Sequence, residues 1–286
     1  MSDFIILVAE TGSDVTAELA QKLGVYLVPM HVSMGKQTLD DGAFPPEDVC
    51  AWYDRTGTVP TTSASTPYDF EVVFDEIHSR FPEKKILHLA YSAVTTCSYQ
   101  NALLAAENRD YVKSVDTKHV SVGQCAVVTA VAHWLEDHPE ASLSEAAAAA
   151  EEIAEKTQMC FIPRNLDYLR AGGRVSNAVA LVGNLLHLHP CIEIIDGKLI
   201  AGKKYRGKMV KLVPALIREF TEKHSFDKEH IYFIHAPYLE ENVKQIAQAT
   251  ARELGFREIT WVKTGCVITC HGGPGAFGIV GVSDKE

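Results

Sequence analysis

The chain has 286 residues, enough for two domains of ordinary size or one large one. Its hydrophobic residues (47%) and charged residues (22%) are in the usual proportions of a globular protein with a sizeable core. The net charge of −10 disfavours nucleic-acid binding, because contacts to phosphates need clustered lysine and arginine.

Short apolar runs alternate with helical patterns through the first half of the chain. The sequence predicts strands at residues 4–9, 25–32, 85–90 and 112–115. It predicts helices at residues 15–23, 45–52, 67–80, 99–108, 123–136 and 143–155. Strands separated by helices imply right-handed crossovers, so this half is expected to form an α/β domain with a mostly parallel sheet.

The pattern changes near residue 155, where we place a boundary between domains at residues 1–155 and 156–286. The second half carries predicted strands at 159–162, 230–235, 258–262 and 278–282, predicted helices at 165–171, 207–223 and 240–254, and a hairpin at 192–201. The very apolar segment Ala178–Leu188 is either a core helix or one wall of a ligand tunnel. Hairpin and crossover patterns together predict an α/β domain with a mixed sheet.

No apolar stretch approaches the roughly 20 residues that span a bilayer, so we expect no transmembrane segment. The N-terminus lacks the basic region of a signal peptide. Seven scattered cysteines, an odd number, argue against a disulfide framework. These features together predict a cytoplasmic protein.

Two motifs could suggest a cofactor or a metal ion, but each lacks the surrounding sequence that such a site needs. Gly273–Gly278 matches G-x-G-x-x-G, but too few residues follow it for the helix and second strand of a dinucleotide-binding unit. Cys266, Cys270 and His271 have no further cysteine or histidine pair at a usual metal-ligand spacing. We therefore expect neither an organic cofactor nor a metal ion.

Six cations lie within residues 198–211 of this acidic chain, namely Lys198, Lys203, Lys204, Arg206, Lys208 and Lys211. They form either a solvated hairpin and helix start or a docking face for an acidic or phosphate-bearing partner.

Hydroxyl side chains cluster in three segments that follow predicted strands, at 11–13, 61–66 and 92–98. Ligands of an open parallel sheet bind outside the carboxyl ends of its strands. A hydroxyl group beside the N–H groups of a helix start holds a carboxylate or a phosphate well. No segment carries the G-x-S-x-G nucleophile elbow, so binding is favoured over nucleophilic catalysis, with plain capping loops as the alternative.

Two acidic residues end the first predicted strand. Glu10 and Asp14 could serve acid–base chemistry there, although capping of the following helix explains Asp14.

A series of motifs runs along essentially the whole chain. They are Glu10–Asp14 (ETGSD), Thr62-Ser63, Ser92–Ala102 (SAVTTCSYQNA), Leu166–Ser176 (LDYLRAGGRVS), Leu185–Pro190 (LLHLHP), Asp196–Leu199 (DGKL) and His271–Gly278 (HGGPGAFG). In kind and order they resemble the motifs of the DegV family of bacterial fatty-acid-binding proteins.

The resemblance implies a two-domain fold. The N-terminal domain would be a three-layer α/β/α structure with a mostly parallel sheet, and the C-terminal α/β domain, with a mixed sheet, would close a tunnel for an acyl chain. A long-chain fatty acid would be buried between the domains as a ligand. The resemblance places Thr62, Thr96 and His271 at the fatty-acid carboxylate, with Ser63 and Ser92 from the same loops.

The resemblance also implies a role for the protein. It would be a non-catalytic subunit that presents the fatty acid to the catalytic subunit of a fatty acid kinase, which makes an acyl phosphate for phospholipid synthesis. Arg174 and Arg206 match basic positions that face the kinase or the developing phosphate. A transient membrane contact is compatible with this role, and nucleic acid is not an expected partner.

The chain departs from the family pattern at the proposed carboxylate loops. Glu10 stands where the family has aspartate, Gly12 replaces a more ordinary residue, and Thr96-Cys97 replaces a serine–glycine pair. The hydroxyl group survives at Thr96, but Cys97 has less backbone freedom than glycine. These departures bear on which acyl chain is preferred.

Two other functions stay open. An enzyme acting on a small carboxylate or phosphate at the same loops would need a paired base, and the sequence offers only Glu10 or His271. A lipid-sensing regulatory protein would bind the same ligand without a kinase partner.

Overall fold

The computed structural model describes residues 4–177 and 188–284. The chain divides into two compact units. The first unit contains the residues up to Ala43 and Thr62–Glu155, and the second contains Phe44–Thr61 and the residues from Lys156 onward. Apart from Leu188, the apolar segment Ala178–Leu188 lies outside the described residues.

The first 156 residues form alternating strands and helices. In chain order these are β1 (Ile5–Glu10), a 3-10 turn (Thr11–Ser13), α1 (Ala17–Leu23), β2 (Val25–Val28), β3 (His31–Met34), β4 (Gln37–Asp40), α2 (Glu47–Thr56), β5 (Thr61–Ser63), α3 (Pro67–Arg80), β6 (Lys85–Ala90), α4 (Ser98–Ala106), β7 (Val112–Asp116), α5 (Ser121–Asp137) and α6 (Leu143–Lys156).

The first unit is a three-layer α/β/α structure built on a parallel sheet in the order β2-β1-β6-β7. Phe70, Phe74 and Ile77 of α3 pack against Ile6 and other strand residues on one face. Helix α5 contacts β1 and β6 from the opposite face. Both faces of β1 are covered, and all six of its residues are buried. The predicted fold class of this half is confirmed.

A small sheet in the order β4-β3-β5 departs from the sequence-based prediction. The predicted strand at 25–32 is two strands, because the chain leaves the parallel sheet at Pro29 and β3 pairs antiparallel with β4 instead. Proline lacks the N–H group that a central strand would donate. The N–H group of Met30 bonds to the Thr11 hydroxyl group (3.0 Å) rather than to a strand.

The second unit is built on a mixed sheet. In chain order its elements from residue 157 are β8 (Thr157–Ile162), α7 (Leu166–Gly172), β9 (Leu188–Ile195), β10 (Lys198–Arg206), α8 (Met209–Lys223), β11 (Phe226–His235), α9 (Glu241–Glu253), β12 (Glu258–Lys263), α10 (Cys266–Gly272) and β13 (Phe277–Ser283). The sheet order is β10-β9-β8-β13-β11-β12, with β11 and β12 parallel and the other neighbours antiparallel. The predicted mixed sheet is confirmed.

Helix α2 belongs to the second unit although it lies in the first third of the chain. The Tyr53 hydroxyl group donates to Asp167 Oδ2 (2.9 Å), and the Tyr53 ring lies 4.9 Å from the Tyr168 ring between centroids. Lys263 Nζ lies 2.6 Å from Glu47 Oε1. The two units therefore differ from the two contiguous segments that the sequence pattern predicts.

No helix among the described residues is long and apolar enough to cross a membrane.

Candidate functional site

The loop between β6 and α4 carries Ser92 and Thr96, two of the residues that the resemblance places at a carboxylate. The loop is folded tightly, because the N–H and the hydroxyl group of Thr95 both donate to the Ser92 carbonyl oxygen (3.1 and 3.0 Å). Ser92 is fully buried, and its N–H group donates to the carbonyl oxygen of His119 (2.9 Å). Thr96 is partly exposed, and its hydroxyl oxygen lies 3.4 Å from the Ser98 N–H group.

Residues 61–66 form the second hydroxyl-bearing segment. Thr62 is partly exposed and Ser63 is exposed, both on the short strand β5. Two further hydroxyl groups of this segment hold the fold together. Ser65 is buried and donates to the carbonyl oxygen of Pro29 (2.8 Å), while Thr66 forms a capping box with Asp69 at the start of α3. Ser65 and Thr66 therefore anchor this segment to Pro29 and to α3.

Asn101 ties these two loops together within the first unit. Its Nδ2 donates to the carbonyl oxygen of Ser65 (2.8 Å), and the same atom lies 3.7 Å from the Cys97 sulfur. The structure therefore brings the Thr62 and Thr96 segments to one edge of the unit. Sequence reasoning missed Asn101, although its position one helical turn after Cys97 was a usable signal.

Glu10 lies beneath the Ser92–Ser98 loop as a buried carboxylate. Its Oε2 accepts from the N–H group of Tyr91 (2.9 Å) and from Gln124 Nε2 (2.8 Å), and its Oε1 accepts from the Ser98 hydroxyl group (2.7 Å). His88 Nε2 lies 3.4 Å from Oε1. Burial would raise the pKa of Glu10, but His88 and the hydrogen-bond donors outweigh it and lower that pKa. Glu10 therefore supports the loop and is not an exposed base.

Asp14 and its neighbours are internal to the fold. The prediction that Asp14 caps the first helix is wrong, because α1 is capped by Thr16, whose hydroxyl oxygen accepts from the Leu19 N–H group (3.2 Å). Asp14 has left-handed backbone geometry (φ 58°) and instead accepts from the Ser121 hydroxyl group (2.5 Å). The buried Ser13 hydroxyl oxygen accepts from the Val15 N–H group (3.3 Å). This first segment of hydroxyl groups thus serves the fold.

In the second unit, His271 meets the glycine-rich end of α7. A Cβ atom at Gly172 would lie 2.3 Å from His271 Nδ1, so this approach requires glycine. Burial and the positive charge of Arg174 lower the pKa of His271 to about 4. His271 is therefore neutral at neutral pH. The exposed Arg174 donates from Nη1 to the Gly172 carbonyl oxygen (2.6 Å) within the same motif.

The cationic stretch lies on β10 and the start of α8, and all six of its cations are exposed. Lys203 pairs with Glu219 (2.6 Å). The segment that follows Arg174 runs along the edge of β10, where Val175 forms a bridge with Leu199. Arg206 ends the strand, seven residues after Leu199.

Among the described residues, no group of three or more histidine, cysteine, aspartate or glutamate side chains could hold a metal ion.

The fold and these loops define a class of protein. An α/β unit whose parallel sheet carries hydroxyl groups and helix starts beyond its strand ends is typical of proteins that bind small anionic ligands. The chain belongs to the DegV family, whose model matches residues 5–284.

Solved structures and curated relatives resemble the chain along its whole length. A DegV family protein from Thermus thermophilus, described by its fatty acid binding, superposes with a TM-score of 0.87 at 29% identity, covering 99% of this chain and 100% of that one. A DegV lipid binding protein from Thermotoga maritima gives a TM-score of 0.84 at 26% identity, covering 99% and 100%. A "Fatty acid-binding protein" of Thermotoga maritima is 28% identical and covers 95% of each chain.

Proposed function

We propose that this protein binds a long-chain fatty acid and that Thr62 and Thr96 hold its carboxylate, with Ser63 and Ser92 in the same loops. The observation that carries the proposal is the joining of the two hydroxyl-bearing loops by Asn101, which leaves Thr62 and Thr96 partly exposed at one edge of the first unit. The fatty-acid binding that names the relatives gives the ligand class.

The energetics of an acyl chain fit this proposal. Burial of a chain of about sixteen carbons gains roughly 12 kcal/mol at 0.8 kcal/mol per methylene, before the costs of association. The acyl chain would then supply most of the affinity, and the hydroxyl groups would orient the head group.

We also propose that His271 takes part in fatty-acid binding as a neutral ring. With its pKa lowered to about 4, the imidazole offers one N–H donor and one acceptor and does not form an ion pair with a carboxylate near neutral pH.

We further propose that the protein is a non-catalytic carrier that presents the carboxylate to a separate kinase. Of the two bases that an enzyme could use, Glu10 is buried and already bonded to three donors, and the pKa of His271 is too low for a general base at neutral pH. The exposed Arg174 and Arg206 are the proposed kinase-facing cations. The proposed compartment is the cytoplasm, in accord with seven free cysteines.

Native mass spectrometry of the protein purified from bacteria tests the lipid proposal. We expect a bound acyl chain that denaturing extraction releases as a fatty acid. The pair Thr62→Ala and Thr96→Val should weaken binding by about tenfold or more, because loss of hydrogen bonds to a charged group costs about 1.5–3 kcal/mol. Thr58→Val, at an exposed threonine of the second unit, is the matched control. Absence of any acyl chain, even after incubation with several fatty acids, would refute the proposal.

A kinase assay tests the carrier role separately. Arg174→Ala should leave fatty-acid affinity unchanged and slow phosphorylation of the bound carboxylate by the partner kinase, since the arginine would face the developing phosphate. Arg170→Ala, at an exposed arginine of the preceding helix α7, is the control. Unchanged phosphorylation would remove Arg174 from the kinase face, and the lack of any kinase that accepts this carrier would favour a lipid sensor.

A further inference from the structure

We propose that the first unit carries a ligand site at the amino ends of its parallel strands, at the opposite end of the sheet from the hydroxyl-bearing loops. The site is a cleft of about 480 Å³, within the size range of small-molecule sites. Its ligand is a compact organic acid, with an apolar body inside the cleft and a carboxylate on Arg80. The inference stands apart from the proposed function, because the cleft shares no lining residue with the proposed fatty-acid site.

The connection between α1 and β2 leaves this cleft open. Helix α1 ends at Leu23, Gly24 turns the chain with left-handed geometry (φ 67°), and β2 begins at the next residue. The register places this first residue of β2 opposite Leu7 of β1. Ile5 and Ile6 of β1 therefore extend beyond the start of β2, and they line the space that a longer β2 would have filled.

The walls of the cleft are apolar. They come from the start of β1, the end of α1 and the last turns of α5, and consist mainly of Ile5, Leu7, Ala20, Leu23, Ala132 and Leu135. Each of these side chains keeps 2–8% of its surface exposed, whereas Phe70, Phe74 and Ile86 in the core of the same unit keep none. Such a space holds water poorly, so filling it with the apolar body of a ligand is favourable.

Phe81 and two cations form the rim of the cleft. The Arg80 guanidinium carbon lies 5.2 Å from the centroid of the Phe81 ring, and Lys84 Nζ lies 5.5 Å from it. Arg80 is exposed, and its side chain forms no salt bridge and donates no hydrogen bond to any of the described residues. A guanidinium group that lies over a ring keeps the N–H groups along its edge for a planar acceptor such as a carboxylate.

The charged side chains that line the cleft favour an anion. Two cations, Arg80 and Lys84, stand against one carboxylate, that of Glu136. The helices that end at the cleft add partial negative charge, but this effect falls off within the last turn and is screened by salt. A ligand carboxylate contacts the guanidinium group directly, so the charged pair outweighs the helix ends. The expected ligand is therefore an acid rather than an amine.

Methyl NMR of the isoleucine side chains tests the inference, with 4-phenylbutanoic acid and 4-phenylbutan-1-ol as probes that share one apolar body. The acid should shift the methyl signals of Ile5 and Ile6 until they saturate, and it should leave Ile194 of the second unit unchanged. Arg80→Gln should raise the Kd of the acid about tenfold and change the Kd of the alcohol little, because only the carboxylate forms a charged pair.

Arg55→Gln is the matched control, since Arg55 is also exposed and its guanidinium carbon lies 5.0 Å from the centroid of the Trp52 ring in the second unit. This variant should keep the wild-type Kd for both probes. If the acid leaves the signals of Ile5 and Ile6 unshifted up to its solubility limit, the cleft is not a ligand site and the inference is wrong. An equal Kd of the acid in wild-type protein and Arg80→Gln, or an equal loss in Arg55→Gln, would overturn it as well.

Discussion

At the scale of single residues, Gly172 shows how one missing side chain shapes the second unit. A Cβ atom at this position would stand 2.3 Å from His271 Nδ1, closer than any real contact, so the ring or the helix end must move. Gly172→Ala should therefore destabilise the protein by about 1–3 kcal/mol through overpacking. Thermal and urea unfolding measure this change.

Gly202→Ala is the matched control, because a Cβ atom there would meet Glu193 at an ordinary 3.4 Å. It should change the free energy of unfolding little. Equal stability of the two variants would show that His271 is not held against Gly172.

The residue scale also shows why Glu10 was not understood from the sequence. An acidic residue at the end of an apolar strand suggested acid–base chemistry. Its actual partners come from the segment after β6, the start of α4 and the first turn of α5. Partners as far as 114 positions away along the chain leave no local pattern, so only the folded structure could identify them.

At the scale of elements, His31 connects the β3–β4 hairpin to the start of α3. Its Nδ1 lies 2.9 Å from Asp40 Oδ1 and its Nε2 lies 3.0 Å from Asp69 Oδ2. Burial alone would lower the pKa of His31, but the hydrogen bonds to Asp69 and Asp40 and their negative charges outweigh it and raise that pKa.

A raised pKa makes the stabilising effect of His31 dependent on pH. The effect is complete below the pKa of a histidine in the unfolded chain, about 6.5, and is lost as the pH rises through the higher pKa of the folded state. The free energy of unfolding of wild-type protein should therefore fall above about pH 6.5, whereas His31→Gln should lack this component. Urea unfolding at several pH values measures both.

His133→Gln, at an exposed histidine of the same unit, should keep the wild-type pH dependence. If His31→Gln and wild-type protein show the same slope, the histidine does not carry this linkage.

The elements of the main sheets were predictable because their signals are local. Buried apolar runs such as residues 85–90 and helical periodicity such as residues 67–80 recur as β6 and α3. The strands β4 and β5 were missed, and β3 was merged with β2, because these strands are short, partly exposed and of mixed polarity. Their pairing with one another, rather than their composition, makes them strands.

At the scale of the whole molecule, α2 belongs to the second unit, whereas the sequence pattern placed it in the first domain. Tyr53→Ala removes the hydrogen bond to Asp167 and the ring contact with Tyr168, a loss of about 2 kcal/mol. Hydrogen exchange should accordingly become faster in α7 and α10 of the second unit. Exchange in β1 and β6 of the first unit should stay at the wild-type rate.

Tyr68→Ala removes a tyrosine of the first unit that is 71% exposed, and it should change exchange in neither unit. Faster exchange in β1 and β6 of the Tyr53 variant would mean that α2 stabilises the first unit as well.

The sequence by itself determined the class of fold, the parallel and mixed character of the two sheets, the family and the hydroxyl-bearing loops. These depend on periodicity, on turn residues and on short contiguous motifs, which a linear pattern records. Only the tertiary structure decided that Glu10 supports the Ser92–Ser98 loop, that Thr16 rather than Asp14 caps α1, and that α2 belongs with the second unit. Each of these depends on which distant groups meet in a buried space, where polar atoms must find partners, and that is settled by packing in three dimensions.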